Sequence, residues 1–454
     1  MSDLPAEEQR RLLELLGRFG PVAEPFLPGT RISQTAVLKI VVFSRRSDFR
    51  ALTGTRKFAA FMQPSLQTNR LLVGPVRDSL TETTLHEYAH HLLRSRQDVS
   101  LPLWFDEGLA SLLGHTEFDD TSASIGDLPL ARMRTRANEP LAGLAPTSMM
   151  KRTLAATTVR DWHQTHIDAF YDWSWLLAHY LLLDQLDGAA VNGTALETFL
   201  HERSSSLPGH LGETPASLTR RLQRYVNSPA RPLQRPSPPA PAVHPNHACL
   251  TPFERDHELA RAVLEQNPAG ALNLIAPHLA DRPDDVALLI TRGRVALASE
   301  QLETAESFAN AALAAEPDNA AATILKADLT AWNCLFEITP DCRTRWQQAR
   351  DLYQRALRRD PTRFDGVLGL GLAYLYTGRP GEAVNYIRVA YARAPWAALV
   401  NYYLGESYRL IGDTRAYDYL LNARNWADLP VWRLLAEESL RRLDSPAADS
   451  SDLQ

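Results

Sequence analysis

Apolar and polar positions along the 454-residue chain change rhythm several times, and each rhythm predicts a different element. The start reads as a short amphipathic helix around Glu7–Leu16. Two apolar runs then read as strands. Val37–Phe43 (VLKIVVF) is β-branched and bounded by polar residues, and Asn69–Val73 (NRLLV) ends at Gly74-Pro75, a turn signal. Beyond them the rhythm becomes helical. Ser79-Leu80-Thr81-Glu82 matches a capping box, in which serine and glutamate satisfy each other's free backbone donors. The helix it opens carries Leu85, Tyr88, Ala89, Leu92 and Leu93 at helical spacing. A second helix starts near Pro102 and runs through Leu113, with Gly114 able to end it. A third, very apolar, spans about Ala169–Leu186. No apolar run reaches the ~20 residues of a membrane helix; Trp175–Leu183 is short and interrupted by His179 and Tyr180.

The segment Asn227–His247 (NSPARPLQRPSPPAPAVHPNH) breaks the pattern. Proline at this density removes backbone donors and favours extended chain, so the segment reads as a semi-rigid linker carrying few contacts. After it the chain is almost wholly helical and repeats itself. Val367, Leu370, Gly371, Tyr374, Ala383, Ile387, Ala390 and Pro395 stand at the intervals of the 34-residue tetratricopeptide (TPR) repeat, which this half resembles. The same frame gives Leu289, Gly293, Ala296, Ala305, Ala309, Ala312 and Pro317. A unit around Leu404, Gly405, Tyr408, Ala416, Leu420 and Ala423 has a one-residue deletion. Another ends with Ala349, Tyr353, Ala356 and Pro361, its first helix near Ala320–Thr330 displaced by an insertion. A degenerate unit near Leu259–Pro283 caps the stack. The division expected is an α+β domain over 1–226, a proline-rich linker over 227–250, an all-α TPR solenoid over 251–445 and a disordered tail over 446–454. The two halves are expected to fold independently.

Composition narrows the function classes. A net charge of −5 argues against a nucleic-acid surface. The four lysines (Lys39, Lys57, Lys151, Lys326) leave arginine to supply nearly all the positive charge, without a phosphate-binding stripe. Three cysteines, Cys249, Cys334 and Cys342, exclude a disulfide scaffold and a four-cysteine zinc site. Cys334 and Cys342 can pair, but unpaired thiols in a reducing compartment are the expectation. The opening MSDLPAEEQRRLLELLGRFG places Glu and Arg where a signal peptide needs an apolar core, so a cytoplasmic protein without a membrane segment is expected.

Residues 86–90 read His-Glu-Tyr-Ala-His on the capped helix. Histidines four apart share a helix face, so both imidazoles can meet one cation. Glu87 can reach a water there without ligating the metal. This is the chemistry of a zinc hydrolase: two neutral nitrogen ligands and a carboxylate base. Two histidines and a glutamate on an otherwise core-like face are costly without a partner. Glu107, in Leu103-Trp104-Phe105-Asp106-Glu107-Gly108-Leu109-Ala110, sits on the next helix after the short connection Arg94–Leu101. It can complete a three-ligand set that leaves a fourth position open.

HEYAH followed by WFDEGLA resembles a gluzincin metallopeptidase, and the preceding strand–turn with the apolar FYDWSWLLAHYLL segment resembles the bacterial peptidase MA-like group, over about residues 35–200. The resemblance implies one Zn2+ held by His86, His90 and Glu107, with Glu87 as general base. It departs from the family in lacking a G-A-M-E-N-like stretch before HEYAH. It also has Ser111 where thermolysin-like enzymes carry an aspartate that orients a histidine. Gluzincins often use a Tyr or His to stabilise the oxyanion. Tyr171, opening the third helix where the family carries a tyrosine, is the candidate; the other reading is a core tyrosine. His163 and His166 are alternatives for that role. His91 reads as a surface or outer residue, His179 as a satisfied core histidine, and His244 and His247 as inert linker residues. The strand Asn69–Val73 reads either as the edge that pairs with substrate backbone or as an interior strand.

The function expected is a zinc-dependent metallopeptidase, an endopeptidase, whose TPR module recruits a protein partner or the substrate. Its rivals are a TPR interaction scaffold with a structural or silenced zinc domain, and a zinc hydrolase of a non-peptide amide.

Overall fold

The computed structural model describes residues 5–31, 38–43, 45–53, 60–63, 69–74, 80–97, 101–126, 130–140, 143–159, 161–183, 196, 198–200, 207–227, 232–239, 250–264, 267–335, 339–427 and 429–444. Helix α1 (Ala6–Ala23) outruns Glu7–Leu16 because its apolar stripe continues through Phe19 and Val22, both buried. The two apolar runs form β2 (Leu38–Val42) and β4 (Asn69–Val73), paired in parallel from Leu38↔Asn69 to Val42↔Val73. A short helix α2 (Arg46–Thr53) follows β2. A strand not foreseen, β3 (Ala60–Gln63), pairs antiparallel with β4, giving the order β2-β4-β3. Four residues are too few to display an alternation. The structure thus makes Asn69–Val73 the interior strand, with Leu71, Leu72 and Val73 fully buried. A two-residue β1 (Thr30–Arg31) pairs with β5 (Arg96–Gln97).

The helices that carry the chemistry are α3 (Leu80–Arg94), α4 (Leu103–Gly114) and α7 (Gln164–Leu183). Ser79, the expected cap, lies outside the described residues, as do residues 184–186. Pro102 is the N-cap of α4 and Gly114 its last residue. The three helices bury one cluster built on Leu85, Leu93, Trp104, Leu109, Phe170 and Leu177. Gly108 makes this closeness possible: a Cβ there would sit 2.2 Å from the Ser174 carbonyl oxygen on α7. Helices α5 (Leu130–Asn138), α6 (Pro146–Leu154) and α8 (Pro215–Asn227), with a single helical turn at Leu207–His210, pack around these three.

The proline-rich segment departs from its expectation. Leu233–Pro236 within it forms β8, the outer strand of a sheet ordered β6-β7-β8, with β6 at Glu117–Phe118 and β7 at Ser122–Ile125. Extended chain suits pairing, and Pro236, which has no N–H, stands at the end of an edge strand. His244, His247 and Cys249 lie outside the described residues, as does the 446–454 tail.

The second half is a stack of helix hairpins. The pairs are α9 (Pro252–Val263) with α10 (Pro268–Leu279), α11 (Val286–Ala298) with α12 (Leu302–Ala315), α13 (Ala320–Ala331) with α14 (Cys342–Arg359), α15 (Phe364–Tyr376) with α16 (Pro380–Arg393), and α17 (Ala398–Leu410) with α18 (Ala416–Asn425). Helix α19 (Pro430–Asp444) ends the stack. The repeated small residues are where helices touch: Ala305, Ala309, Ala383, Ala390, Ala416 and Ala423 are fully buried. The insertion between α13 and α14 corrects the cysteine expectation. Cys334 and Cys342 form a disulfide (S–S 2.06 Å), because the short helical turn Trp332–Leu335 brings the first sulfur back to the start of α14.

The halves do not stand apart as expected. Val41, Phe43, Phe49 and Leu72 of the first share one buried cluster with Leu259, Val263, Ile275 and Leu288 of the second. Glu258 on α9 pairs with Arg70 of β4 (3.0 Å) and Lys39 of β2 (3.0 Å). Among the described residues no helix is long and apolar enough to cross a membrane.

Candidate metal centre

HEYAH lies in the middle of α3, so the four-residue spacing places both imidazoles on the face that meets α4. The donor atoms converge. His86 Nε2 and His90 Nε2 are 3.2 Å apart, and Glu107 Oε2 lies 3.5 Å from the first and 3.3 Å from the second. A tetrahedral centre with bonds of about 2.0–2.1 Å needs donors roughly 3.3–3.4 Å apart. The triangle has that size. Glu107 Oε2 is buried with the two imidazoles facing it at 3.3–3.5 Å and no hydrogen bond of ordinary geometry, and a buried carboxylate oxygen needs a proton on those rings or a cation between them to offset its burial. Among the described residues these three are the one group of His, Cys, Asp and Glu side chains close enough to hold an ion. Two neutral nitrogens and one carboxylate are a fitting donor set for zinc.

A second layer holds the first. His90 Nδ1 and Asp106 Oδ1 are 2.9 Å apart. Asp106 is fully buried and accepts two further hydrogen bonds at Oδ2, from Arg94 Nε (3.2 Å) and Nη2 (2.7 Å). A carboxylate at Nδ1 fixes the imidazole with Nε2 pointing inward. Burial opposes charge on all these groups. It is outweighed at His90 by Asp106 and Glu107, which raise the imidazole to about 10, so a cation bound at Nε2 must displace the proton that this field otherwise holds there. It is outweighed at Asp106 by Arg94 and His90, which keep the carboxyl below its ordinary range. The same negative field favours a divalent cation between the rings. Sequence reading missed Asp106 and Arg94. The signal was present: Arg94 stands four residues after His90 on the same helix face, and Asp106 immediately precedes Glu107. Asp106 holds His90, whereas the position where an aspartate was looked for is Ser111, whose Oγ lies 3.5 Å from Nδ1 of the other histidine, His86.

A cleft of about 260 Å³ opens beside His86, lined among others by Ser111, Met133, Tyr171 and Trp175. Glu87, next to His86, is half-buried. Tyr171 does not open α7, which begins at Gln164; it lies further along, its ring 6.5 Å from that of His86. Burial, then the charges of Glu107 and Glu87, push its hydroxyl well above its ordinary value, so it stays protonated and can donate. His163 and His166 sit near the start of α7, where His166 lies 3.4 Å from Arg152; neither lines the cleft. His115, not singled out in the sequence, does line it, paired with Glu82 at 2.7 Å.

His91 is corrected. It is buried rather than on the surface, 2.9 Å from Asn69 Nδ2, with its ring against Trp396 of the repeat half at 5.3 Å. His179 is a satisfied core histidine, 2.7 Å from the Tyr225 hydroxyl and 3.2 Å from the Gly126 carbonyl, and burial lowers it to about 4.

No family model matches the chain, and no curated protein matches it. Solved structures similar to it are repeat proteins. One is TTC0263, a thermophilic TPR protein of Thermus thermophilus, at 20% identity over 42% of this chain and 97% of that one, with a TM-score of 0.35. Another is YrrB, a TPR protein with an unusual peptide-binding site, at 16% identity over 41% and 92%, with a TM-score of 0.27. A third is MamA, at 18% identity over 43% and 97%, with a TM-score of 0.26.

Proposed function

We propose that the protein is a zinc-dependent peptidase cleaving internal peptide bonds, with a helical-repeat half that engages protein. The observation that carries this reading is the donor triangle of His86, His90 and Glu107, whose edges of 3.2–3.5 Å suit a tetrahedral ion. When bound there, zinc would polarise a carbonyl and ease deprotonation of water. Glu87 takes a proton from the attacking water as the new C–O bond forms, then delivers it to the amine nitrogen as the C–N bond breaks. Tyr171, protonated and in the cleft, donates to the oxygen that gains negative charge. Asp106 and Arg94 hold His90 in one tautomer and orientation.

Metal analysis with a peptide-library cleavage assay tests this on wild type and Glu87→Gln. The expected result is one zinc per chain in both, with cleavage at least ~10²-fold slower in the variant. Wild-type protein without stoichiometric zinc, or equal cleavage by the two, would sink the assignment.

A second reading, an interaction scaffold with a structural metal site, draws on the repeat stack itself. Its last helix leaves Val431, Leu434 and Leu435 exposed on one face, at 40%, 59% and 37%. Under that reading Glu87→Gln changes nothing, and Leu434→Asp abolishes capture of a protein partner.

A further inference from the structure

We propose that Asn425 and Trp426, at the end of α18 in the repeat half, are positioning residues of the metal centre. The inference rests on the zinc reading above and adds that the site is incomplete without the repeats.

The three ligands come from two helices: His86 and His90 from α3, Glu107 from α4. The two helices pack directly on one another, and the repeat half touches the described ends of the connection that joins them, at Arg94–Arg96 and at Leu101. At the exit of α3, the Trp426 ring lies 5.9 Å from the Arg94 guanidinium, within range of a cation–π contact. That guanidinium is the one that forks onto Asp106 Oδ2, and Asp106 in turn holds His90. At the entry to α4, Asn425 Nδ2 donates to the Leu101 carbonyl at 2.6 Å. Leu101 is fully buried and Asn425 nearly so, so no water can replace that bond without opening the interface. Between these points the Tyr391 hydroxyl of α16 donates to the Arg96 carbonyl at 3.4 Å, and Trp396 packs on His91, the neighbour of His90. A rotamer change at Arg94 or a slide of α4 would enlarge a triangle that must stay near its present size.

The test uses the full chain and reads zinc affinity by competition with a chelating dye, with cobalt absorption as a report on ligand geometry. Trp426→Leu keeps apolar bulk and removes the π face; Asn425→Ala removes the donor. Each is expected to weaken zinc about three- to tenfold, below the 10–100-fold typical of losing a ligand's own hydrogen-bond partner, as in Asp106→Ala. In an Arg94→Met background, Trp426→Leu should add nothing, because it acts through that arginine, whereas Asn425→Ala should still add its own factor. Trp432→Leu, which disturbs packing on Tyr402 and Tyr403 in the same last repeats, should leave zinc affinity at the wild-type value. If Trp426→Leu fails to fold, Trp426→Phe decides: it keeps a π face and should bind zinc as wild type does, and weakened binding there would overturn the cation–π link. Wild-type zinc affinity in both Trp426→Leu and Asn425→Ala would overturn the coupling and leave the metal site standing. A wild-type chain that takes up no zinc would overturn the metal reading, and this inference with it.

Discussion

Tyr171 and His179 stand eight positions apart on α7, and burial acts on both in opposite senses. It raises the tyrosine, which stays a donor, and lowers the histidine, which stays neutral. For Tyr171 the proposed role predicts that Tyr171→Phe lowers kcat by about 10²–10³ with KM and zinc content unchanged. A large fall in melting temperature instead would make the residue a packing element. For His179 the sign runs toward acid sensitivity. Above its unfolded value near 6.5 the residue is neutral in both states, and its contribution is fully present. Below that, the unfolded chain binds a proton that the folded chain refuses until about 4. Stability should therefore fall by up to about 3 kcal/mol between those pH values. Chemical denaturation across pH 4–7 should show a weaker dependence in His179→Gln; identical curves would remove His179 as the cause. At this scale the spacing of His86, Glu87 and His90 was readable, because a helix converts sequence distance into direction. The burial of His91 was not, since its partner Trp396 is some three hundred residues away along the chain.

Long elements with strong periodicity were legible: α3, α4, α7 and the repeat hairpins follow apolar spacing that a helix must bury. Short elements were not. Ala60–Gln63 has no visible alternation, and Leu233–Pro236 was hidden by a composition that favours extended chain whether or not it finds a partner. The cysteines fell between, since nothing in an eight-residue separation says that the intervening turn folds back. The resulting Cys334–Cys342 bridge closes a small loop at the displaced repeat, worth about 2–3 kcal/mol on loop-entropy grounds. Reduction should lower the melting temperature of the wild type by several degrees and leave Cys334→Ser/Cys342→Ser unaffected. A free-thiol count of three in the native, unreduced protein would show that the bridge does not form in solution.

At the scale of the whole molecule, the proline-rich segment misled because composition reports chain stiffness, not what the flanking surfaces do. The halves share a cluster in which Val41, Phe43 and Leu72 meet Leu259, Val263 and Leu288. Heating the full chain should give a single cooperative transition, and a fragment ending at Val226 should lose tertiary structure or aggregate. Two well-separated calorimetric transitions would show instead that the shared surface contributes little. The arrangement also bears on how such a chain can change over generations. Helical-repeat arrays ordinarily lengthen or shorten by whole units, since each unit leans only on its neighbours. Here the first hairpin is tied to the sheet through Glu258 and Arg70, and the last complete one to the α3–α4 connection through Asn425 and Trp426. The stack is a strap fastened at both buckles: one unit more or fewer would release an end, so the number of repeats is fixed by the domain they hold.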